Sequence, residues 1–299
     1  MSHVELTAGL KGLVIPMAQT VCGTLYVVGT PIGNLGDISP RAVQVLGSCD
    51  FIAAEDTRVT LKLLNHLGIK KPMTSYHKFN ENEKSEGIVG KLLAGQTCAL
   101  VSDAGMPCIS DPGRELVDIC RERGIEVVAV PGPCALVTAL AISGMPSGRF
   151  TFEGFLTTAK PGRREHLEQL INESRTMIFY EAPHKLPATL ADMLAFFGDR
   201  EVAIVKELTK LHERVERTTL SRAVLDYPKD VKLKGEFVLI VAGAAEPEKA
   251  AGFTLDDAVA VANEHIKCGK SLNQAAKLAA VHTGLKKSDI YKELLKPCS

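Results

Sequence analysis

The chain has 299 residues, 45% of them hydrophobic and 23% charged, and its 35 basic and 35 acidic side chains balance each other. This length allows two domains that each have a core. The zero net charge argues against a protein that binds nucleic acid by charge alone, but it allows local basic patches. No apolar run reaches the roughly 18–20 residues of a transmembrane helix, so we expect no membrane partner.

The eight cysteines form no Cys-x-x-Cys pair, and no histidine lies at a zinc-finger distance from a cysteine pair. Several lie in apolar segments, as Cys98 does, where a free cysteine behaves as a small hydrophobic residue. We therefore predict a reduced, cytoplasmic protein that binds no metal.

Residues 1–23 precede the first strand pattern. Lys11 is followed by a short apolar stretch, which Pro16 and Gln19 interrupt. Because this is weak for a signal peptide, we predict a disordered N-terminal extension, or translation that starts at Met17.

From residue 24 onward, short apolar runs alternate with helical patterns, which predicts an α/β domain over residues 24–146. The predicted strands are rich in Val, Ile, Leu and Ala, as in parallel strands buried on both faces. They lie at 25–29, 51–55, 98–102 and 127–130. The predicted helices between them lie at 41–46, 59–66, 84–93 and 114–123. Each is followed by a glycine that suits a C-terminal cap, namely Gly47, Gly68, Gly95 and Gly124.

A glycine- and proline-rich stretch at 144–148 predicts a linker, after which residues 147–245 form a second α/β domain. Its predicted strands lie at 150–155, 176–180, 202–208, 213–219 and 236–241, and its helices at 164–171 and 186–197. The remaining residues, 250–299, are helical in pattern, with Thr254 as one cap and a capping box at Ser271 and Gln274. They predict either a small helix-turn-helix tail or a helical cap with a solvated lysine face.

The loop after the first strand, residues 29–37, is rich in glycine. It lacks the G-x-G-x-x-G spacing, and Pro31 removes an N–H that a phosphate would need. An NAD-dependent dehydrogenase is therefore disfavoured. The loop suits an uncharged or cationic ligand, but taken alone it is better explained as a tight structural turn.

The segment after the second strand contains Glu55, Asp56 and Arg58. Open α/β sheets bind ligands at the carboxyl ends of their strands, so these residues form either a functional cluster or the charged start of a helix. Spacing alone favours a helix that Asp56 caps.

The loop after the third strand, residues 102–113, is longer than a strand-to-helix turn requires. Asp111 and Pro112 are suited to open a helix. Asp103 has no such structural reason, so we predict that it contacts a ligand. After the fourth strand, Pro133 is suited to start a helix, and the small Ala135 allows close approach of a bound group.

Read together, these segments resemble the tetrapyrrole (corrin/porphyrin) methylase superfamily, and within it the bacterial branch that 2′-O-methylates a cytidine of 16S rRNA. The resemblance runs in consistent order from about residue 24 to residue 243, and the helical tail fits it too. It is carried by TPIGNL at 30–35, AEDTR at 54–58, LVSDAG at 100–105, PGPC at 131–134, FEGFL at 152–156, IFYE at 178–181, ELTK at 207–210 and KGE at 234–236.

The resemblance implies two α/β domains of the class III methyltransferase type, a small C-terminal helical region, and S-adenosylmethionine as cofactor in the cleft between the domains. It also implies a homodimer, and 16S rRNA in the small ribosomal subunit as partner. The residues it assigns to the cofactor are Pro31, Ile32, Asp103, Ala104, Gly105, Met106, Cys134, Ala135, Tyr180, Glu181, Leu208, Thr209 and Gly235. Met106 stands where the family commonly has threonine.

A ribose hydroxyl must lose its proton during methylation, which requires a general base within hydrogen-bond reach. The candidates are Asp56, His77 and Glu181, with Arg58 to hold a phosphate. For RNA contact we predict Lys160, Arg163, Arg164, Lys185, Lys286 and Lys287, with a merely solvated charged surface as the alternative. Lys185 stands where the family commonly has arginine, and the two are not equivalent for gripping phosphate.

Two alternatives remain at this stage. The first is a methylase of the same superfamily that acts on a tetrapyrrole or a diphthine precursor, which would need a broad apolar cleft for a porphyrinoid. The second is a ribosome assembly factor that keeps the fold without catalysis, which failure to bind S-adenosylmethionine would favour.

Overall fold

The computed structural model describes residues 22–245, 253–267 and 269–295. Its first sheet has five strands in the order β3-β2-β4-β1-β5, and each neighbouring pair is parallel. The strands are β1 Thr24–Val28, β2 Phe51–Ala54, β3 Met73–Ser75, β4 Cys98–Val101 and β5 Glu126–Val130. The helices between them are α1 Pro40–Ser48, α2 Thr57–His66, α3 Glu81–Leu93 and α4 Arg114–Glu122. Because the strands all run one way, the loops after them meet at one edge.

The parallel sheet confirms the first predicted domain type, with three local differences. The edge strand β3 is absent from the prediction because its three residues are half-buried and form no apolar run. Gly47 lies inside α1 and does not end it. Asp111 and Pro112 do not open α4, which begins at Arg114 after Gly113 with φ 129°.

The second sheet also has five strands among the described residues, in the order β6-β7-β10-β8-β9. Only the β6–β7 pair is parallel; the other pairs are antiparallel. The strands are β6 Phe150–Phe155, β7 Thr176–Glu181, β8 Glu201–Lys206, β9 Arg214–Thr219 and β10 Phe237–Val241. The helices are α6 Lys160–Gln169, α7 Leu186–Phe197 and α8 Leu220–Asp226.

Helix α5, Ala135–Ser143, links the two sheets. It begins after Cys134, two residues later than a start at Pro133 would give. Its buried residues Leu136 and Leu140 pack against Ile178 and Val238 of the second sheet. The helix therefore precedes the predicted linker in the chain but contributes to the core of the following unit, and the domain boundaries stay a prediction.

The C-terminal region consists of α9 Leu255–Lys267, α10 Leu272–Thr283 and α11 Lys287–Leu294, which share a core of small apolar residues. The capping box of Ser271 and Gln274 is confirmed, and the Thr254 hydroxyl accepts a hydrogen bond from the Asp257 N–H. The predicted extension lies outside the described residues up to residue 21, as do tail residues 250–252 and 296–299. Within the described ranges, every helix is too short or too polar to cross a lipid bilayer.

Candidate functional site

A cavity of about 450 Å³, here called the cleft cavity, lies where the loops of the first sheet face the second sheet. Both sheets contribute to its walls, as ligand sites at the carboxyl edge of parallel sheets do. Most of the residues predicted to bind the cofactor line it: Ile32, Asp103, Ala104, Gly105, Met106, Cys134, Ala135, Tyr180, Glu181 and Leu208. Pro31, Thr209 and Gly235 lie outside the set of described residues that line it.

The first and third loops are joined by two backbone hydrogen bonds. Thr30 N–H donates to the Gly105 carbonyl at 2.9 Å, and Gly105 N–H donates to the Thr30 carbonyl at 3.1 Å. Gly105 has φ 81°, a conformation that favours glycine. A Cβ at this position would also lie 3.3 Å from the Ile32 side chain. This bridge holds one wall of the cleft cavity in place.

The first and fourth loops touch through two glycines. A Cβ on Gly29 would lie 2.7 Å from the Cα of Gly132, and a Cβ on Gly132 would lie 2.7 Å from the Gly29 carbonyl oxygen. These glycines therefore allow two backbones to pack directly against each other. Gly29 and Gly132 thus serve the packing of the two loops, while Ile32 of the first loop lines the cleft cavity.

Three carboxylates of the first-sheet loops, those of Glu55, Asp103 and Asp111, line the cleft cavity, together with Glu181 and Glu236 from the second-sheet side. The pKa values of Glu55, Asp103 and Asp111 are raised mainly by burial, and repulsion from neighbouring carboxylates, including Asp56, adds to the shift. Asp103 N–H donates to Glu55 Oε2 at 3.2 Å, which ties the second loop to the third. Of these three carboxylates of the first-sheet loops, only Asp103 was predicted from the sequence to contact a ligand, because Glu55 and Asp111 had an alternative explanation as charges at helix starts.

Asp56 caps α2, as the spacing predicted. Its Oδ1 accepts from Arg58 N–H at 2.8 Å, and Arg58 Nη2 contacts Oδ2 at 2.6 Å. These bonds to Arg58 lower the pKa of Asp56 to about 2. A carboxylate held this way is a weak base, while the Arg58 side chain itself is 86% exposed.

The sequence model of the tetrapyrrole (corrin/porphyrin) methylases matches residues 24–224, which include the first sheet and strands β6 to β9 of the second. The chain belongs to the tetrapyrrole methylase family. Two solved methyltransferases share its fold. Cobalt precorrin-4 methyltransferase covers 73% of this chain and 94% of its own, with a TM-score of 0.53 and 16% identity. Uroporphyrin-III-C-methyltransferase from Thermus thermophilus has the same coverage, with a TM-score of 0.50 and 18% identity.

Relatives of much higher identity carry a different printed name, "Ribosomal RNA small subunit methyltransferase I". The one from Synechocystis sp. is 47% identical over 270 residues, which are 90% of this chain and 96% of the relative. The one from Escherichia coli O157:H7 is 45% identical over 275 residues, which are 91% of this chain and 95% of the relative.

Two other candidate bases of this tetrapyrrole methylase occupy different surroundings. His77 lies on the loop after β3, outside the set of described residues that line the cleft cavity, and its Nδ1 is buried with no hydrogen-bond partner in the described part of the chain. Glu181 lines the cavity but is engaged: Oε2 accepts from the Thr189 hydroxyl at 2.6 Å and Oε1 from the Ala182 N–H at 2.8 Å. Glu181 is therefore less available than a free carboxylate to take a proton, and its contact with the cofactor stays a prediction.

The second-sheet wall of this methylase cavity is apolar and aromatic. Val205, Leu208 and Val238 line it. Tyr180 is held edge-on between Phe152 and Phe155, with ring centroids 4.9 and 5.5 Å apart. This wall suits a flat, uncharged ring, opposite the carboxylates of the first sheet.

Of the cations predicted to contact RNA, Arg163 is unsuitable. Its side chain is 13% exposed and pairs with Asp192 at 2.6 Å, so it cannot reach a phosphate without losing that partner. Arg164 is exposed and lies over the Phe196 ring at 5.6 Å. Lys160, Lys286 and Lys287 are exposed, and Lys185 is half-buried before α7. Among the described residues, no group of His, Cys, Asp and Glu could hold a metal ion.

Proposed function

We propose that this chain transfers a methyl group from S-adenosylmethionine to a cytidine 2′-hydroxyl of 16S rRNA in the small ribosomal subunit. The observation that carries the proposal is the 44–47% identity, over 90% or more of the chain, to relatives named for methylation of small-subunit ribosomal RNA. The ribose hydroxyl and the cytidine rest on the motif resemblance.

The cleft cavity fits this cofactor. Its apolar wall, with Leu208 and Val238, suits an adenine ring, and the carboxylates of Glu55, Asp103 and Asp111 suit a sulfonium and an amino group that both carry positive charge. When bound, S-adenosylmethionine supplies a methyl group on a positively charged sulfur. Burial is the main cause of the raised pKa values of these carboxyls, and a bound cation would favour their ionised forms.

The residues of the chain contribute alignment and proton removal. The bridged loops, with Thr30 and Gly105, form a fixed wall that orients two reactants and excludes water. We assign removal of the hydroxyl proton to Glu55, because its carboxylate lines the cavity and accepts a hydrogen bond from the Asp103 N–H. Asp56 is held by Arg58, and His77 remains the second candidate. Arg58 is exposed on α2, and we propose that it contacts a phosphate of the RNA.

The proposal extends to a homodimer that acts in the cytoplasm, where small subunits are assembled. The dimer is supported by exposed apolar residues on α5 and the neighbouring edge strand β9, namely Val137, Ile142 and Val215. Sedimentation equilibrium of the wild type and a Val137→Lys, Ile142→Lys variant tests it. A monomeric wild type would refute the dimer.

The main experiment measures transfer of labelled methyl groups to small ribosomal subunits purified from a strain that lacks this gene. Nuclease digestion of the product then locates the label. Label on one ribose of 16S rRNA is the expected result. Tight cofactor binding with no label on RNA would instead favour a small-molecule methylase, and no cofactor binding would favour an assembly factor.

A further inference from the structure

Phe79 is the most exposed large hydrophobic side chain among the described residues, with an exposed fraction of 94%. It lies on the loop that connects β3 to α3. Single exposed apolar residues are common on protein surfaces and by themselves need no explanation. Phe79 differs from such residues in three ways: its loop is held by hydrogen bonds, it lies at the rim of the site, and the charge around it is unusual.

The loop that carries Phe79 is held firmly. His77 N–H donates to Asn80 Oδ1 at 2.8 Å, and Asn80 N–H donates back to the His77 carbonyl at 2.8 Å. The Asn80 side chain also donates to the Ser75 carbonyl at 3.3 Å. The His77 ring packs edge-on against Phe79, with 6.2 Å between centroids. These bonds hold the backbone of the loop that carries the exposed phenyl ring, and a loop that is already ordered lowers the entropic cost of binding.

The position of Phe79 is at the rim of the site. Strand β3 is the outermost strand of the parallel sheet, and the loop after it lies at the carboxyl edge. The preceding residue, Lys78, lines a second cavity of about 550 Å³, here called the outer cavity. Ile109, Ser110 and Asp111 line both this cavity and the cleft cavity. An acceptor that reaches the cleft through the outer cavity passes next to Phe79.

The charge of this rim is unfavourable for gripping phosphates. The outer cavity is lined by two cations, Lys78 and Arg114, and by four carboxylates, those of Glu81, Asp111, Glu115 and Asp118. RNA binding that depends on phosphate contacts requires an excess of cations. Affinity for RNA at this rim must therefore come from uncharged contacts, and stacking of bases on an aromatic ring is the main one that proteins use.

We propose that Phe79 stacks against an unpaired base of the RNA substrate, beside the nucleotide that is methylated. The inference rests on the proposed function, since it requires an RNA acceptor. Stacking on a phenyl ring tolerates every base. Phe79 therefore orients the strand at the entrance of the cleft and does not read its sequence.

The first test compares Phe79→Leu, which keeps an apolar side chain and removes the ring, with Phe79→Tyr, which keeps the ring. In methyl transfer to unmethylated small subunits, we expect Phe79→Leu to lower kcat/KM at least about fivefold, and Phe79→Tyr to stay within about twofold of the wild type. Cofactor affinity should be unchanged in both. Leu225→Ala on α8, which removes another side chain of high exposure (70%), is the control. Wild-type kcat/KM in Phe79→Leu would refute the inference and leave the proposed function intact.

The second test uses the fact that the chain contains no tryptophan. Phe79→Trp places a single fluorophore at the rim, and Leu225→Trp places one at the control position. Titration with 16S rRNA transcribed in vitro should quench the first and not the second, because a stacked base contacts only the rim. Equal fluorescence changes in the two variants while the RNA binds would refute stacking. Selective quenching at Phe79→Trp, together with no methyl transfer to small ribosomal subunits by the wild type, would support stacking and contradict the proposed reaction.

Discussion

The backbone N–H of Asp103 donates to the carboxylate of Glu55 at 3.2 Å, and the Asp103 side chain accepts from the N–H of Asp56 at 3.0 Å. This pair of bonds links two loops that are 48 residues apart in the chain. It aims the carboxyl group of Glu55 at the cleft cavity while Asp56 turns to cap α2. Adjacent acidic residues thus receive different environments and different pKa values.

Replacing Glu55 with Gln should lower kcat for RNA methylation by about 100-fold or more, because it removes the group that we assign to proton removal. Burial raises the pKa of Glu55 above its ordinary value of 4.5. A base must be ionised, so wild-type kcat should rise with pH as the carboxyl loses its proton. This rise of kcat with pH should be absent from Glu55→Gln. A variant with nearly wild-type kcat would exclude Glu55 as the base and make His77 the leading candidate.

Replacing Asp111 with Asn should stabilise the ligand-free protein at neutral pH. Burial raises the pKa of Asp111 above 3.8, so the folded state holds its proton more tightly than the unfolded state. Ionisation of Asp111 therefore lowers the stability of the wild type as the pH rises through the pKa of Asp111 in the folded protein. The difference in Tm between variant and wild type should accordingly shrink toward pH 4. A variant that melts below the wild type at pH 7 would contradict this interpretation.

The same Asp111→Asn variant should bind S-adenosylmethionine roughly threefold to tenfold more weakly, because a carboxylate near a cation has been removed. Affinity for the demethylated product, whose sulfur is uncharged, should change less. Titration calorimetry with both compounds measures the ratio. Equal weakening of the two would indicate a structural role for Asp111.

Asp56 should act through helix capping. Asp56→Ala removes the acceptor for the Arg58 N–H and should lower Tm by about 2–4 °C, whereas Asp56→Asn keeps a good cap. Bonds to Arg58 lower the pKa of Asp56 to about 2, so its stabilisation is present above 3.8 and is lost as pH falls through about 2. Asp56→Asn should retain kcat. A loss of about 100-fold in that variant would identify Asp56 as the base after all.

Gly29→Ala should destabilise the protein by about 1–3 kcal/mol, because its Cβ would lie 2.7 Å from Gly132. Gly47→Ala is the matched control. Gly47 lies inside α1, and a Cβ there meets nothing within 4 Å, so this change should stabilise by roughly 0.5–1 kcal/mol. Urea unfolding measures both values. Similar behaviour of the two variants would mean that the loops separate to accommodate the methyl group.

Much of the fold follows from local sequence. Strands β1, β2, β4 and β5 are short apolar runs between helical patterns, and their parallel pairing follows from that alternation. Helix α7 spans the residues that were predicted. The three-residue strand β3 carries too little apolar pattern to be recognised without its partner β2. The antiparallel pairings of β10 likewise depend on neighbours that are distant in the chain.

The sequence by itself determined the α/β architecture, the family, and most of the residues around the cleft, because motif order and apolar periodicity are properties of the chain. Only the tertiary structure decided which groups are buried together and which remain in water. It brought Glu55, Asp103 and Asp111 into one cavity, paired Arg163 with Asp192, and left Phe79 exposed at the rim. The physical reason is that desolvation and ion pairing depend on neighbours tens of residues away, which spacing along the chain does not encode.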